Sequence, residues 1–337
     1  AMNMKHLTFI FLLSLFSSLS TLANVDPYMQ FLQKGDSCLA DYNYKSAMEF
    51  YEKAIALKSN YATPKIRLAE CHYKRGNYPA CELILEKAAF FNKDSLTHEA
   101  LREMFYCKAY NSAYEAQILW GSILLERYPY DGDIVAALAG VYNNDEILLP
   151  AKAVDLTEMY LTGDPDNIAV LSRNAYAHYL GKNYSTAVMR YNKIVELGDS
   201  SVNTNYYLGM SHWRLHEYEE AKDCLIKAVE MNKYESAGMI YHLGQACFEG
   251  KYYDEAIKYL QMAKEKFTPS KAVMTIINQD IGDACRQKGM YLEAITAYKD
   301  AINLNYELMD HIIFYQISSC YDKLGDKVNS KKYLEKM

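Results

Sequence analysis

The sequence predicts an all-α protein built from stacked helical hairpins, and three observations carry that prediction. Glycine (15) and proline (7) are scarce among the 337 residues, which leaves few positions for the tight turns of a many-stranded β architecture. Half of the residues are hydrophobic, so the chain can build a packed core and is not a disordered polymer. Above all, the chain repeats itself. The phrase "YKSA" ending at Ala47 returns as "YPAC" at Cys81, "YSTA" at Ala187, "YEEA" at Ala221, "YDEA" at Ala256 and "YLEA" at Ala294, with weaker copies ending at Ala116, Ala153 and Ser330. Successive copies are 34 to 38 residues apart, a period of helical arrays.

The N-terminal stretch stands outside the repeat. "MKHLTFIFLLSLFSSLSTLA" carries Lys5, an apolar run from Leu7 to Phe16 and small residues at Thr21 and Ala23. Residues 1–23 therefore read as a secretory signal cleaved before Asn24, and the mature chain is expected to be exported, periplasmic or secreted. The apolar run is too short to cross a bilayer, which takes about 20 residues. No cysteine follows it to accept a lipid, and no other long apolar run occurs. Membrane insertion of the mature chain is not expected. The formal net charge is −6, and no run of lysine and arginine supplies the basic stripe that a nucleic-acid binder needs.

Each repeat explains itself physically. Twelve residues before most of the landmark alanines lies another small residue: Gly35, Ala69, Ala175, Gly209, Gly244, Gly282 and Ser318. Two helices cross closely only where side chains are small, so each pair of landmarks predicts one crossing within a hairpin. A short turn lies between them, followed by an aromatic residue that opens the second helix: Tyr78, Tyr184, Tyr218, Tyr253 or Tyr291. A hairpin of this size cannot bury its apolar face alone, so the units must stack. Units one and two occupy residues 24–95. Units three and four, over 96–165, diverge: Met104 replaces the small residue, and the turn around "NNDEILLPA" is two residues longer. Units five to nine fill 166–337.

This pattern resembles the tetratricopeptide repeat (TPR) family, whose period is 34 residues. The likeness runs from Tyr28 to Met337 and is strongest in "NYYLGMSHWRLHEYEEAKDCLIKAVEMN" and "IYHLGQACFEGKYYDEAIKYLQMAKEKF". It implies a right-handed α-solenoid of about nine stacked helix-turn-helix units and a non-enzymatic role as a scaffold for a protein or peptide partner. In this family the first-helix stripe at i, i+3, i+7, i+10 lines the concave surface. Here the stripe contains Tyr176 and Tyr179 in unit five, then Asn203, Tyr206 and Trp213 with Arg214 adjacent in unit six. It continues through Tyr241, Gln245 and Phe248 in unit seven to Arg286 in unit eight. Tyrosine, tryptophan and arginine bury large area at low entropic cost, which makes these residues the expected partner-binding groove. Trp213 is expected to point away from the packing and to carry the grip. The stripe lacks the lysine, asparagine and arginine set with which some members clamp a C-terminal carboxylate.

Other chemistry is weighed against this reading. His212 and His216 lie four apart, as zinc ligands on a helix often do. Yet the slot of His212 is filled by His72 and His178 in other units, and by Cys38, Cys107, Cys247 and Cys285. That interchange marks a packing position, and neither a metal nor a cofactor is expected. The eight cysteines read mostly as free, buried thiols, with Cys71–Cys81 the one pairing worth testing. "KGDSCLA" at 34–40 contains the Gly-Asp-Ser of a hydrolase family but places its glycine at the helix crossing. The common nucleotide, zinc-protease and serine-hydrolase motifs do not occur. Two alternatives stay open: an exported sensor or input module of a longer signalling protein, suggested by a last unit that stops within its second helix, and, ranked lower, a hydrolase or metal-dependent enzyme.

Overall fold

A computed structural model describes residues 26–91, 95–267, 270–304 and 310–336. The expected signal segment, residues 1–23, lies outside the described residues. Among the described residues there are eighteen α-helices and no strand. They follow as α1 (Pro27–Ala40), α2 (Tyr44–Leu57), α3 (Thr63–Lys74), α4 (Tyr78–Phe91), α5 (His98–Tyr110), α6 (Tyr114–Arg127), α7 (Gly132–Tyr142), α8 (Pro150–Leu161) and α9 (Ile168–Leu180). The second nine are α10 (Tyr184–Glu196), α11 (Val202–Arg214), α12 (Tyr218–Met231), α13 (Ala237–Glu249), α14 (Tyr253–Lys266), α15 (Lys271–Lys288), α16 (Tyr291–Leu304), α17 (Asp310–Lys323) and α18 (Lys327–Leu334). The five tyrosines expected to open second helices each do so. The chain divides into two compact units between Ile134 and Val135, inside α7. In the first, consecutive helices from α1 to α6 pack on one another; in the second, consecutive helices from α8 to α18 do the same.

The hairpin turns share one device. Two residues before each second helix stands a residue with left-handed backbone: Tyr42, Gly76, Ser112, Leu148, Lys182, His216, Lys251, Gly289 and Gly325, at φ between 44° and 87°. Nine such residues mark nine hairpins. They reverse the chain and let the next backbone N–H close on the carbonyl five residues back, as in Asn77 to His72, Asn183 to His178, Glu217 to His212 and Tyr252 to Cys247. The slot shared by histidine and cysteine is therefore where the first helix ends. His216 is itself a turn residue, and histidine is among the side chains that tolerate this conformation. Side-chain caps then start the helices: Asn43 accepts from the Ser46 N–H, Asn183 from Thr186, Thr97 from Ala100 and Ser201 from Thr204.

The crossings are as tight as the small residues require. A Cβ on Gly35 would sit 2.5 Å from the Tyr51 ring, and one on Gly282 2.5 Å from that of Tyr298. On Gly209 it would meet Leu225 at 2.8 Å. The landmark alanines Ala47, Ala187, Ala221, Ala256 and Ala294 are fully buried. Unit three corrects the sequence reading by one residue. Counted from the turn at Ser112, the crossing positions are Phe105 and Gln117, and both are buried, whereas Ala116 is not. Cys107 accordingly lies one residue before the helix-ending slot, which Lys108 fills.

Candidate functional site

The first helices α9, α11, α13 and α15 each present one line of side chains, and equivalent positions can be numbered from the crossing residue as position 8. The expected groove residues then stand at positions 2, 5, 9, 12 and 13. Tyrosines dominate the first two hairpins of this set. Tyr176 and Tyr179 are half-buried, with ring centroids 6.2 Å apart, and Tyr207 packs against both at 4.7 and 5.3 Å. Tyr206 stands beside Tyr207 at 5.0 Å and is hydrogen-bonded to His242 Nδ1 at 2.7 Å. Burial pushes the Tyr206 hydroxyl up to about 12, and it lowers the His242 imidazole, helped by the Arg214 charge. Both groups are thus neutral near pH 7. Farther along, Tyr241 donates to Asp280 Oδ2 at 2.7 Å, while Gln245 donates to the Tyr241 hydroxyl at 2.6 Å and to Asp280 at 3.3 Å. Burial raises the Asp280 carboxyl, which these donors partly offset.

Three of the expected residues are corrected or reassigned. Trp213 is only 7% exposed and lies in a core with Met210, Leu225, Ile240 and Leu243. The indole packs against the next first helix, its centroid 6.1 Å from that of His242. It does not point away from the packing, because position 12 faces the following hairpin as much as solvent. Arg286 Nε donates to the Tyr298 hydroxyl at 3.2 Å, beside Asp283, so it ties its own hairpin together. Phe248 rests on Tyr253 of its hairpin, 6.1 Å away. By contrast Asn203 and Arg214 are exposed, and the Arg214 guanidinium lies 5.2 Å over the Trp213 ring.

The sequence stripe missed a line one residue over, at position 6. From there several hairpins reach back to position 9 of the hairpin before them. Arg67 pairs with Asp36 at 3.6 Å, Tyr207 packs on Tyr176, Asp280 accepts from Gln245, and Gln316 donates to Asp283 at 2.9 Å. Two of these junctions are mismatched. Glu103 follows Glu70; burial, with the Glu70 charge adding to it, pushes the Glu103 carboxyl up to about 7. In hairpin four the turn is two residues longer, with the Leu149 N–H closing on the Tyr142 carbonyl, so the crossing is at the buried Ala139 and position 9 is Gly140. Arg173 follows Gly140, and its guanidinium carbon lies 3.5 Å from where a Cβ on Gly140 would stand.

The remaining chemistry-bearing residues are accounted for by packing. His212 Nδ1 is paired with Glu217 at 2.6 Å, and His216 Nδ1 is hydrogen-bonded to the Tyr218 hydroxyl at 2.8 Å. Among the described residues no three His, Cys, Asp or Glu side chains converge as a metal site would require. Asp36 of the Gly-Asp-Ser phrase accepts from the Tyr51 hydroxyl at 2.8 Å. All eight cysteines are free. A hydrogen bond with the Cys107 thiol raises the Cys81 thiol far above its usual range, with burial adding to it. Cys81 thus meets the Cys107 thiol of the next hairpin, and the Cys71–Cys81 bridge is not formed.

Models of the tetratricopeptide repeat match residues 39–103, 206–271, 277–307 and 312–336, together more than half of the chain. The chain belongs to the tetratricopeptide repeat family. Solved structures with the same fold include a TPR protein from Parabacteroides merdae, 14% identical, with a TM-score of 0.52 over 77% of this chain and 98% of that one. The C-terminal part of a TPR repeat-containing protein from Cytophaga hutchinsonii is 16% identical, with a TM-score of 0.50 over 87% of this chain and 99% of that one. YrrB, described as a TPR protein with an unusual peptide-binding site, is 16% identical, with a TM-score of 0.50 over 57% and 94%. No curated protein sequence matches significantly. This TPR chain is a protein-interaction scaffold by family, and no described helix is long and apolar enough to cross a membrane.

Proposed function

We propose that this TPR protein is a non-enzymatic scaffold of the cell envelope that holds a peptide segment of a protein partner on the concave face of its first helices. The binding residues are those of hairpins five to seven: Tyr176, Tyr179, Tyr206, Tyr241 and Gln245, with the exposed Asn203 and Arg214. The observation that carries the reading is the half-buried tyrosine cluster of α9 and α11. Its rings already stack on one another, so a partner would meet a preorganised aromatic surface and little side-chain entropy would be lost on binding. Envelope localisation rests on the signal-like segment of residues 1–23.

The test obstructs the face without disturbing the core. Full-length protein is panned against a displayed library of random dodecapeptides. Ser172→Trp with Asn203→Trp should abolish enrichment of binders, while Met189→Trp on the exposed side of α10 should leave it unchanged. Enrichment that survives the double substitution contradicts the site. Export is checked by the intact mass of the chain recovered from an envelope fraction: a start at Asn24 is expected, and an uncleaved cytosolic chain contradicts it.

A further inference from the structure

The tyrosine cluster is flanked by two arginines, Arg173 and Arg214, that no carboxylate among the described residues neutralises. Among the described residues the other arginines of first helices have anionic partners where the register supplies one. Arg67 has Asp36 and Glu70, Arg102 has Asp131 and Asp133, and Arg286 has Asp283. Arg173 stands at the same position 6 as Arg67, but position 9 of the hairpin before it is Gly140 instead of an aspartate. Its side chain is exposed and makes no ion pair among the described residues. Arg214, at position 13 of the next first helix, is exposed as well; it lies over the Trp213 ring and beside the Tyr179 hydroxyl, again without a carboxylate.

The surroundings make this pair unusual. The chain as a whole is acidic, with 42 Asp and Glu against 36 Lys and Arg, so a general positive field does not explain it. The helices α9 and α11 pack together. The two arginines differ by seven positions in register, about 10 Å along the helix axis, on helices about 8–10 Å apart. An extended peptide crosses such a diagonal in roughly four residues. In register, Tyr176 and Tyr179 fall between the two arginine positions, and Tyr207 packs against both rings. The Arg214 guanidinium, lying over the Trp213 ring, keeps donors free for carboxylate oxygens.

We propose that the partner segment is acidic: an extended stretch of chain carrying aspartate or glutamate side chains about four residues apart, one for Arg173 and one for Arg214, with an apolar or aromatic residue between them on the tyrosines. This rests on the groove proposed above and adds the chemistry of what fills it. It differs from capture of a chain terminus, because the two charges are spaced for two side chains of one extended stretch. Gly140 is the specificity device, since its missing side chain leaves Arg173 unpaired.

The experiment uses the full chain and the same displayed dodecapeptide library, with three proteins: the natural sequence, Arg173→Gln with Arg214→Gln, and Gly140→Asp. The last adds a carboxylate where a Cβ makes only ordinary contact with Arg173, and it rebuilds the Asp36–Arg67 arrangement. The natural protein should select binders enriched in aspartate and glutamate. Both variants should lose that enrichment while keeping their helical circular dichroism. For a fluorescein-labelled acidic binder, the Kd should rise about tenfold with Gly140→Asp and rise with salt. Binders of neutral or basic composition would overturn the acidic inference and leave the groove standing. Failure to enrich any binder would overturn both. Should the double arginine variant misfold, Gly140→Asp alone decides.

Discussion

Arg67 and Arg173 occupy the same place in their hairpins, and among the described residues only Arg67 has a carboxylate partner. Arg67 meets Asp36 of the preceding hairpin at 3.6 Å and Glu70 of its own helix at 3.1 Å. Arg173 meets Gly140. The difference is one side chain, and it changes what the position is for. At the first junction the charge is consumed in joining two hairpins; at the second it remains available to something outside the chain. The other junctions fall between these extremes. Asp283 accepts from Tyr298 and Gln316, the Tyr176–Tyr207 contact is aromatic, and Glu70 and Glu103 bring like charges together. A repeat protein thus holds its fold by crossings that hardly vary and places its function at inter-repeat positions that do.

The largest expected effect tests whether an inter-repeat aromatic belongs to the fold or to the surface. Trp213→Ala should cost about 3–5 kcal/mol, read as a lower melting temperature by circular dichroism. A cost within the range of ordinary surface substitutions would return Trp213 to the exposed stripe.

The next test addresses the like-charged junction. The folded pKa of Glu103 is raised to about 7, so the folded state holds its proton more tightly than the unfolded state does. Stability is therefore highest below the unfolded carboxyl value and falls as pH rises toward 7. Glu103→Gln should remove this fall and stabilise the protein by roughly 1–3 kcal/mol at pH 8, with little change at pH 4. Urea titrations at the two pH values check it, and equal effects at both would contradict the buried acid. A smaller loss is expected on opening a closed junction. Asp283→Asn weakens the acceptor of Tyr298 and Gln316 and should cost about 1–2 kcal/mol. No loss would mean that the position 6 to position 9 contact does not hold hairpins together.

How much of this was legible in the sequence follows the same division. The nine hairpins were legible because crossings demand small residues, and Gly209 with Ala221 or Gly244 with Ala256 recur at one spacing. Unit three slipped by one residue because its crossing is made by Phe105 and Gln117, which look nothing like glycine and alanine; the left-handed turn at Ser112 locates them. Burial of Trp213 was not legible, because the residues that cover it, such as Ile240 and Leu243, come from the next hairpin. The line at position 6 was present in the sequence as Arg67, Arg173, Tyr207, His242, Asp280 and Gln316, one residue beside the stripe that family likeness singles out. Its meaning needs the partner at position 9, some 31 to 35 residues earlier. The histidine pair His212 and His216 looked like chemistry and is turn geometry.

The claim that Gly140 leaves an anion site open is tested most directly by one titration. A fluorescein-labelled acidic dodecapeptide selected on the natural protein is titrated by anisotropy against that protein and against Gly140→Asp, alongside its isostere with Asn and Gln in place of Asp and Glu. The account predicts that the substitution weakens the acidic peptide about tenfold and removes its advantage over the isostere. Equal affinity of the two proteins for the acidic peptide would contradict it.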